Sequence, residues 1–146
     1  MKFPKPLKKK KKPKKLRKKS LRPMRRLMDV AVETFNRWIR NRDMIRLKGK
    51  CYTCGGVGSE AGHFIQSIGG LRFSQKATNL QCTRCNRFLS GNQAIYAIKL
   101  IEEYGLETVQ ELRRLKNTPM KYTREFLERI IITYGIENGE IPSGWR

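Results

Sequence analysis

Cys51-Tyr52-Thr53-Cys54-Gly55-Gly56 and Cys82-Thr83-Arg84-Cys85-Asn86 carry all four cysteines of this chain, with 27 residues between the two cysteine pairs. Each pair has the Cys-x-x-Cys spacing that lets two thiolates from one tight turn reach a single ion, and two such pairs complete a tetrahedral zinc site. A disulfide scaffold is possible on cysteine count alone. Adjacent short-loop pairs in a chain expected to be non-secreted favour zinc over disulfides. Glycine at 55 and 56 permits the tight turn that aims backbone amides at the sulfurs. Four sulfurs leave no open position, so this zinc is expected to be structural, and the only histidine, His63, stays free for other chemistry.

Working outward, Gly62 to Gln66 alternates weakly and reads as a short strand. Gly69-Gly70 marks a turn, and Leu71-Arg72-Phe73 reads as a second short extended piece. The second cysteine pair opens a helical stretch through Leu89, broken at Ser90-Gly91. Ser20 and Pro23 signal a helix start. From Met24 to about Arg42, Leu27, Ala31, Phe35, Trp38 and Ile39 recur at helical spacing, with Trp38 expected in the core. A helix over Asn92–Tyr104 places Ile95, Ile98 and Ile101 on one side, with Gly105 as its stop. Two more helices follow, Glu107 to Leu115 and Thr123 to Tyr134, the second stopped by Gly135; both read as scaffold or as a dimerisation surface. The fold class expected is α+β, mainly α. It has a zinc-stapled ββα core at 51–92 between an N-terminal helix in 20–50 and C-terminal helices in 92–146. Together 20–146 form one domain behind a basic tail, 1–19.

Net charge is +21, and 21 of the 33 Lys and Arg lie in the first 50 residues against three acids. Lys8, Lys9, Lys10, Lys11 and Lys12 form an unbroken run among prolines, a composition that repels itself and buries nothing. Such asymmetry calls for a polyanionic partner, nucleic acid before an anionic membrane, because no apolar run accompanies the lysines. Nothing approaches the roughly 20 apolar residues of a membrane span, so no membrane association is expected. Reduced cysteine pairs point to a cytoplasmic setting.

A neutral imidazole can take a proton from water, and a divalent ion can stabilise charge on a phosphodiester and its leaving oxygen. His63 is the expected base. Glu60, Asn79, Asn86 and Asn92 are oxygen-bearing neighbours in sequence. Glu60, Asn86 and Asn92 are candidate ligands for Mg²⁺ or Mn²⁺, while Asn79 and Asn86 are candidate catalytic residues. Arg72, Arg84 and Arg87 surround this segment and, with the lysine run, are expected to grip phosphates. Gln66 and Ser67 are expected along the same groove. A zinc-knuckle nucleic-acid-binding protein without catalysis fits the composition equally well; the imidazole and Asn86 separate the two readings.

Glu60-Ala61-Gly62-His63-Phe64-Ile65, Leu71-Arg72-Phe73, Gln81-Cys82-Thr83-Arg84-Cys85-Asn86 and Ser90-Gly91-Asn92 together resemble the phage NinG/Rap recombination endonucleases. Trp38 to Asp43 and Tyr104-Gly105 with Val109 and Leu112 are similar too. The resemblance spans about Ser20 to Leu115. It implies a zinc-stabilised His-Me finger of the HNH type that cleaves branched DNA, chiefly Holliday junctions and D-loops, in the bacterial host cytoplasm. It matches His63 to the general base, the cysteines to structural zinc ligands and Asn86 to a catalytic-metal ligand. Gly62 stands where many HNH sequences carry a second ligand, leaving Glu60 or Asn92 for that part. Ala77 holds the usual place of the orienting Asn and Asn79 lies nearby, so either the loop is re-registered or another group orients His63. Cutting a junction twice implies a homodimer. A generic HNH nuclease on linear duplex is the alternative within enzymes.

Overall fold

A computed structural model describes residues 22–65 and 69–140. The lysine run, Gln66 and Ser67, and the proposed cap Ser20 lie outside the described residues. Among those described, four α-helices surround a two-stranded antiparallel sheet: α1 (Met24–Arg46), β1 (Glu60–His63), β2 (Thr78–Gln81), α2 (Gln93–Tyr104), α3 (Leu106–Lys116) and α4 (Arg124–Glu137). A single wide helical turn, Arg84–Phe88, follows β2, and a short 3₁₀ turn, Gly69–Leu71, precedes it. The architecture is mainly helical α+β, as the periodicity predicts.

The helical stripe of α1 is buried as expected. Leu27 and Ala31 pack on Leu127 and Ile131 of α4, while Phe35 and Ile39 pack on Tyr134. Trp38 is only partly buried; it lies against Tyr134 and carries the Arg42 guanidinium over its ring. The helix also runs one turn beyond the expected Arg42. That last turn begins with a buried carboxylate, Asp43, which is fully enclosed. Asp43 accepts hydrogen bonds from Arg42 (2.7 Å), Arg46 (2.9 Å) and the backbone amide of Leu80 in β2 (2.8 Å). Burial pushes its carboxyl up, but these donors outweigh that and hold it below the usual carboxylate range. The ion cluster thereby fixes α1 to the sheet.

Three expectations are corrected. The second strand is Thr78–Gln81, paired with β1 so that His63 faces Thr78 and Gly62 faces Asn79, whereas Leu71 ends the 3₁₀ turn. Gly135 does not stop α4; it lies buried inside the helix, which continues to Glu137. The isoleucine side of α2 is not the core side. Ile95, Ile98 and Ile101 are exposed, and Tyr96, Ala97 and Leu100 face inward with Phe64, Leu71, Val109 and Leu112. Thr123 caps α4 as its position suggests, its hydroxyl accepting the Phe126 amide at 3.2 Å.

Candidate functional site

The two cysteine turns meet at one end of the sheet. The Sγ atoms of Cys51, Cys54, Cys82 and Cys85 all lie within 4.8 Å of one another, and Cys54 and Cys82 are 3.7 Å apart. A tetrahedron with metal–sulfur bonds of about 2.3 Å has edges of about 3.8 Å. The donor chemistry fits as well. The Gly56 amide donates to Cys54 Sγ, the Cys85 amide to Cys82 Sγ, and the Thr53 hydroxyl lies 3.3 Å from Cys51 Sγ. Burial pushes the Cys51 thiol up, but hydrogen bonds from the Cys54 backbone, the Thr53 hydroxyl and the Cys82 backbone bring it down to about 6. The Gly56 amide lowers Cys54, yet burial and three neighbouring sulfurs push it up to about 12. Four sulfurs this close ionise together only around a cation, and these four could hold zinc.

On the other side of Cys85 a cleft of about 420 Å³ is lined by His63, Ile65, Asn86, Arg87, Ser90, Gly91, Gln93 and Lys116. β1 delivers His63 at its last residue. Its Nε2 lies 3.2 Å from the carbonyl oxygen of Arg72. A carbonyl only accepts, so Nε2 carries the proton and Nδ1 of the neutral ring keeps its lone pair. Nδ1 has no hydrogen-bond partner among the described residues. Burial lowers the ring pKa, the Arg72 carbonyl bond raises it and the Arg72 guanidinium lowers it, for a net fall below the ordinary histidine value. The ring is therefore neutral at pH 7.

Glu60 sits at the other end of β1. Its carboxylate accepts Asn86 Nδ2 (2.7 Å), the Thr83 hydroxyl (3.1 Å) and the Arg87 guanidinium (2.9 Å). Burial raises this carboxyl, but Asn86, Arg87 and Thr83 together hold it below its usual range. Asn86 Oδ1 has no partner among the described residues. Glu60 and Asn86 thus form a pair of hard oxygens, although Arg87 occupies part of the acid.

The remaining expected residues separate. Asn92 turns its amide to Cys85 Sγ (3.7 Å), supporting the sulfur cluster. Asn79 is buried away from the ring: its Oδ1 accepts from Arg42 and Arg46, and its Nδ2 donates to Tyr96 Oη (2.9 Å). The Arg72 carbonyl, not Asn79, orients His63. Arg84 is exposed and does not line the cleft, whereas Arg87 does. Lys116, at the end of α3, escapes the sequence reading. Its helix reads as scaffold, and only the fold carries its last lysine across the cleft from Asn86. Its one sequence signal is the basic last turn of α3.

Residues 2–140 match the family model described as "NinG: Bacteriophage Lambda NinG protein". The chain belongs to the NinG family. It is 33% identical over 108 residues to protein ninG of Escherichia phage lambda, covering 70% of this chain and 52% of that protein. Protein ninG of Salmonella phage P22 is 34% identical over 103 residues, covering 67% and 49%. The chain thus spans about half the length of these NinG relatives. No solved structure matches. Among the described residues, no helix is long and apolar enough to cross a membrane.

Proposed function

We propose that this NinG-family chain is a metal-assisted endonuclease that cleaves branched DNA, Holliday junctions and D-loops, by hydrolysing a phosphodiester with His63 as general base. One observation carries the reading: the sole imidazole sets its Nε2 against a backbone carbonyl, and it lines the same cleft as Asn86 and two cations. Nδ1 takes the proton as a water oxygen attacks phosphorus; the ring then holds that proton while Arg72's carbonyl keeps its orientation. Arg87 binds a non-bridging oxygen of that phosphate, and Lys116 grips the neighbouring backbone phosphate. Asn86 Oδ1 and Glu60 would hold the divalent ion, hard oxygen donors of the kind such ions take. When bound, Mg²⁺ or Mn²⁺ supplies charge stabilisation on the phosphate and leaving oxygen.

The chain order of β1, β2 and a helical turn around a sulfur cluster supports the HNH-type, His-Me finger assignment. Two symmetric cuts in a junction support a homodimer. The surplus of basic residues before α1 supports a DNA partner. The second reading is a zinc-stapled DNA binder without catalysis; what favours it is Arg87, which already neutralises Glu60.

The test is incubation of the protein with labelled four-way junction, matched linear duplex and single strand, with Mg²⁺ and with chelator. Junction-selective nicking that needs the metal is expected, and His63→Ala is expected to bind junctions yet lose cleavage. Binding without nicking in any metal would establish the second reading. Equal cutting of linear duplex would replace the branched substrate with a generic one.

A further inference from the structure

Gln81 is the last residue of β2 and adjoins Cys82, and it is fully buried. Its Nε2 donates to the Thr53 hydroxyl (3.1 Å) and to the Gly91 carbonyl (2.9 Å). Gly91 O is purely an acceptor, so the amide's orientation is fixed. Thr53 Oγ1 in turn lies 3.3 Å from Cys51 Sγ. At the far end of this chain, Gly91 closes on His63: a Cβ on Gly91 would stand 3.2 Å from the His63 carbonyl oxygen. The Gln81 side chain also crosses β1 directly over Gly62. A Cβ at 62 would meet Gln81 Cδ at 2.7 Å and Cγ at 2.8 Å, so glycine is required there by contact rather than by backbone angle.

One polar side chain therefore touches three things at once: the turn that carries Cys51, the Gly91 bend that lines the cleft, and the residue preceding His63. Stability alone does not select it. Among the described residues Gln81 Oε1 is buried with no hydrogen-bond partner, an uncompensated acceptor that an apolar residue of similar size avoids. Rules of polar burial are broken chiefly where function needs the group.

We infer that Gln81 is a positioning residue that transmits the geometry of the sulfur cluster to His63, through Thr53 on one side and through Gly62 and Gly91 on the other. The inference rests on the nuclease reading for its catalytic meaning, but not for its geometry. It also accounts for the missing side chain at 62, because the space beside the base is filled from β2. Zinc loading then sets where the imidazole stands without the ion or its ligands entering the cleft.

The test compares Gln81→Leu with Thr53→Val and Thr53→Ser. Metal loading is read from sulfur-to-Co²⁺ charge-transfer bands and fold from circular dichroism. His63 is read from the ¹⁵N shifts of its imidazole, which are unambiguous in a chain with one histidine. Gln81→Leu, folded and metal-loaded, is expected to move those shifts toward a mixed tautomer. On the junction it should lower kcat at least tenfold with KM within twofold. Thr53→Val should do the same in part, and Thr53→Ser should restore it. Unmoved shifts in folded, metal-loaded Gln81→Leu would overturn the inference; should that variant not fold, unmoved shifts in Thr53→Val would do so. If the wild-type protein cleaves nothing, the nuclease reading fails, and the imidazole shifts still decide whether Gln81 couples the two sites.

Discussion

The sulfur cluster, which could hold zinc, and the Glu60–Asn86 pair, proposed above for a divalent ion, are built by opposite means. Around the sulfurs every neighbour serves the cluster: Gly56, Cys85 and Asn92 donate to sulfur, and Thr53 lies beside Cys51. Around Glu60 and Asn86 the neighbours compete, since Arg87 and Thr83 already occupy the acid and one carbonyl alone orients His63. A site complete in itself suits a staple, whereas on the proposed reading the oxygen pair opens fully only when a substrate draws Arg87 away. The sharpest way to break this contrast is to remove the staple. Cys85→Ser, or chelation of the metal, is expected to remove folding free energy on the order of 10 kcal/mol and unfold the 51–92 segment, read as loss of amide protection and of the thermal transition. A chelated protein that keeps its transition would show that the sulfurs staple nothing.

The reactive half is expected to respond to acid instead. Burial depresses the His63 pKa, so the unfolded chain binds this proton more readily than the folded one. Stability from this group is complete above the ordinary histidine value of about 6.5 and is lost as pH falls through the depressed folded value. Cleavage should share the limb: kcat is expected to fall about tenfold per pH unit below the folded pKa and to level off above it. A profile whose acid limb lies above pH 7 would contradict a buried, neutral base.

How far the sequence foretold this contrast differs between its halves. The cysteine spacing specified the sulfur cluster because covalent reach and ligand number leave almost no freedom. The α1 stripe of Leu27, Ala31, Phe35 and Ile39 was equally legible, since a long helix averages its pattern over many turns. α2 was misleading because it carries two apolar sides. Ile95, Ile98 and Ile101 make the stronger pattern, yet the Tyr96 hydroxyl decided which side turned inward by reaching the Gly62 and Ala77 carbonyls. Leu71-Arg72-Phe73 reads as a second extended piece. The register instead followed Asp43, whose buried carboxylate takes the Leu80 amide from 37 residues away. Interactions at such separations leave no local signature. Lys116 and the Gln81 bridge belong to the same class, visible only once helices and strands are in place.

A smaller effect sharpens the oxygen half. Removing Arg87 while keeping its bulk, as Arg87→Met, leaves Glu60 with the neutral donors Asn86 and Thr83. The apparent affinity for Mn²⁺, measured by electron paramagnetic resonance without DNA, is expected to rise several-fold, because an exposed ion pair holds its acid only weakly. Glu60→Gln should abolish that gain. If Glu60→Gln binds Mn²⁺ as the parent does, Glu60 is no ligand and the hard-cation site lies elsewhere.

The smallest expected effect tests the far wall of the cleft. Lys116 is exposed, makes no ion pair among the described residues and faces the cleft from a helix otherwise devoted to packing Val109 and Leu112. Such a lysine acts as one phosphate contact. Each contact contributes a slope of about 0.9 to the dependence of log affinity on log salt. Lys116→Ala is therefore expected to weaken junction binding a few-fold at moderate salt, flatten the salt slope by about one and leave kcat unchanged. Because Lys116 is exposed at the last residue of α3, the thermal transition should not move. A fall in kcat with an unaltered salt slope would place Lys116 on the reacting phosphate rather than beside it, and would extend the reactive half of the molecule into α3.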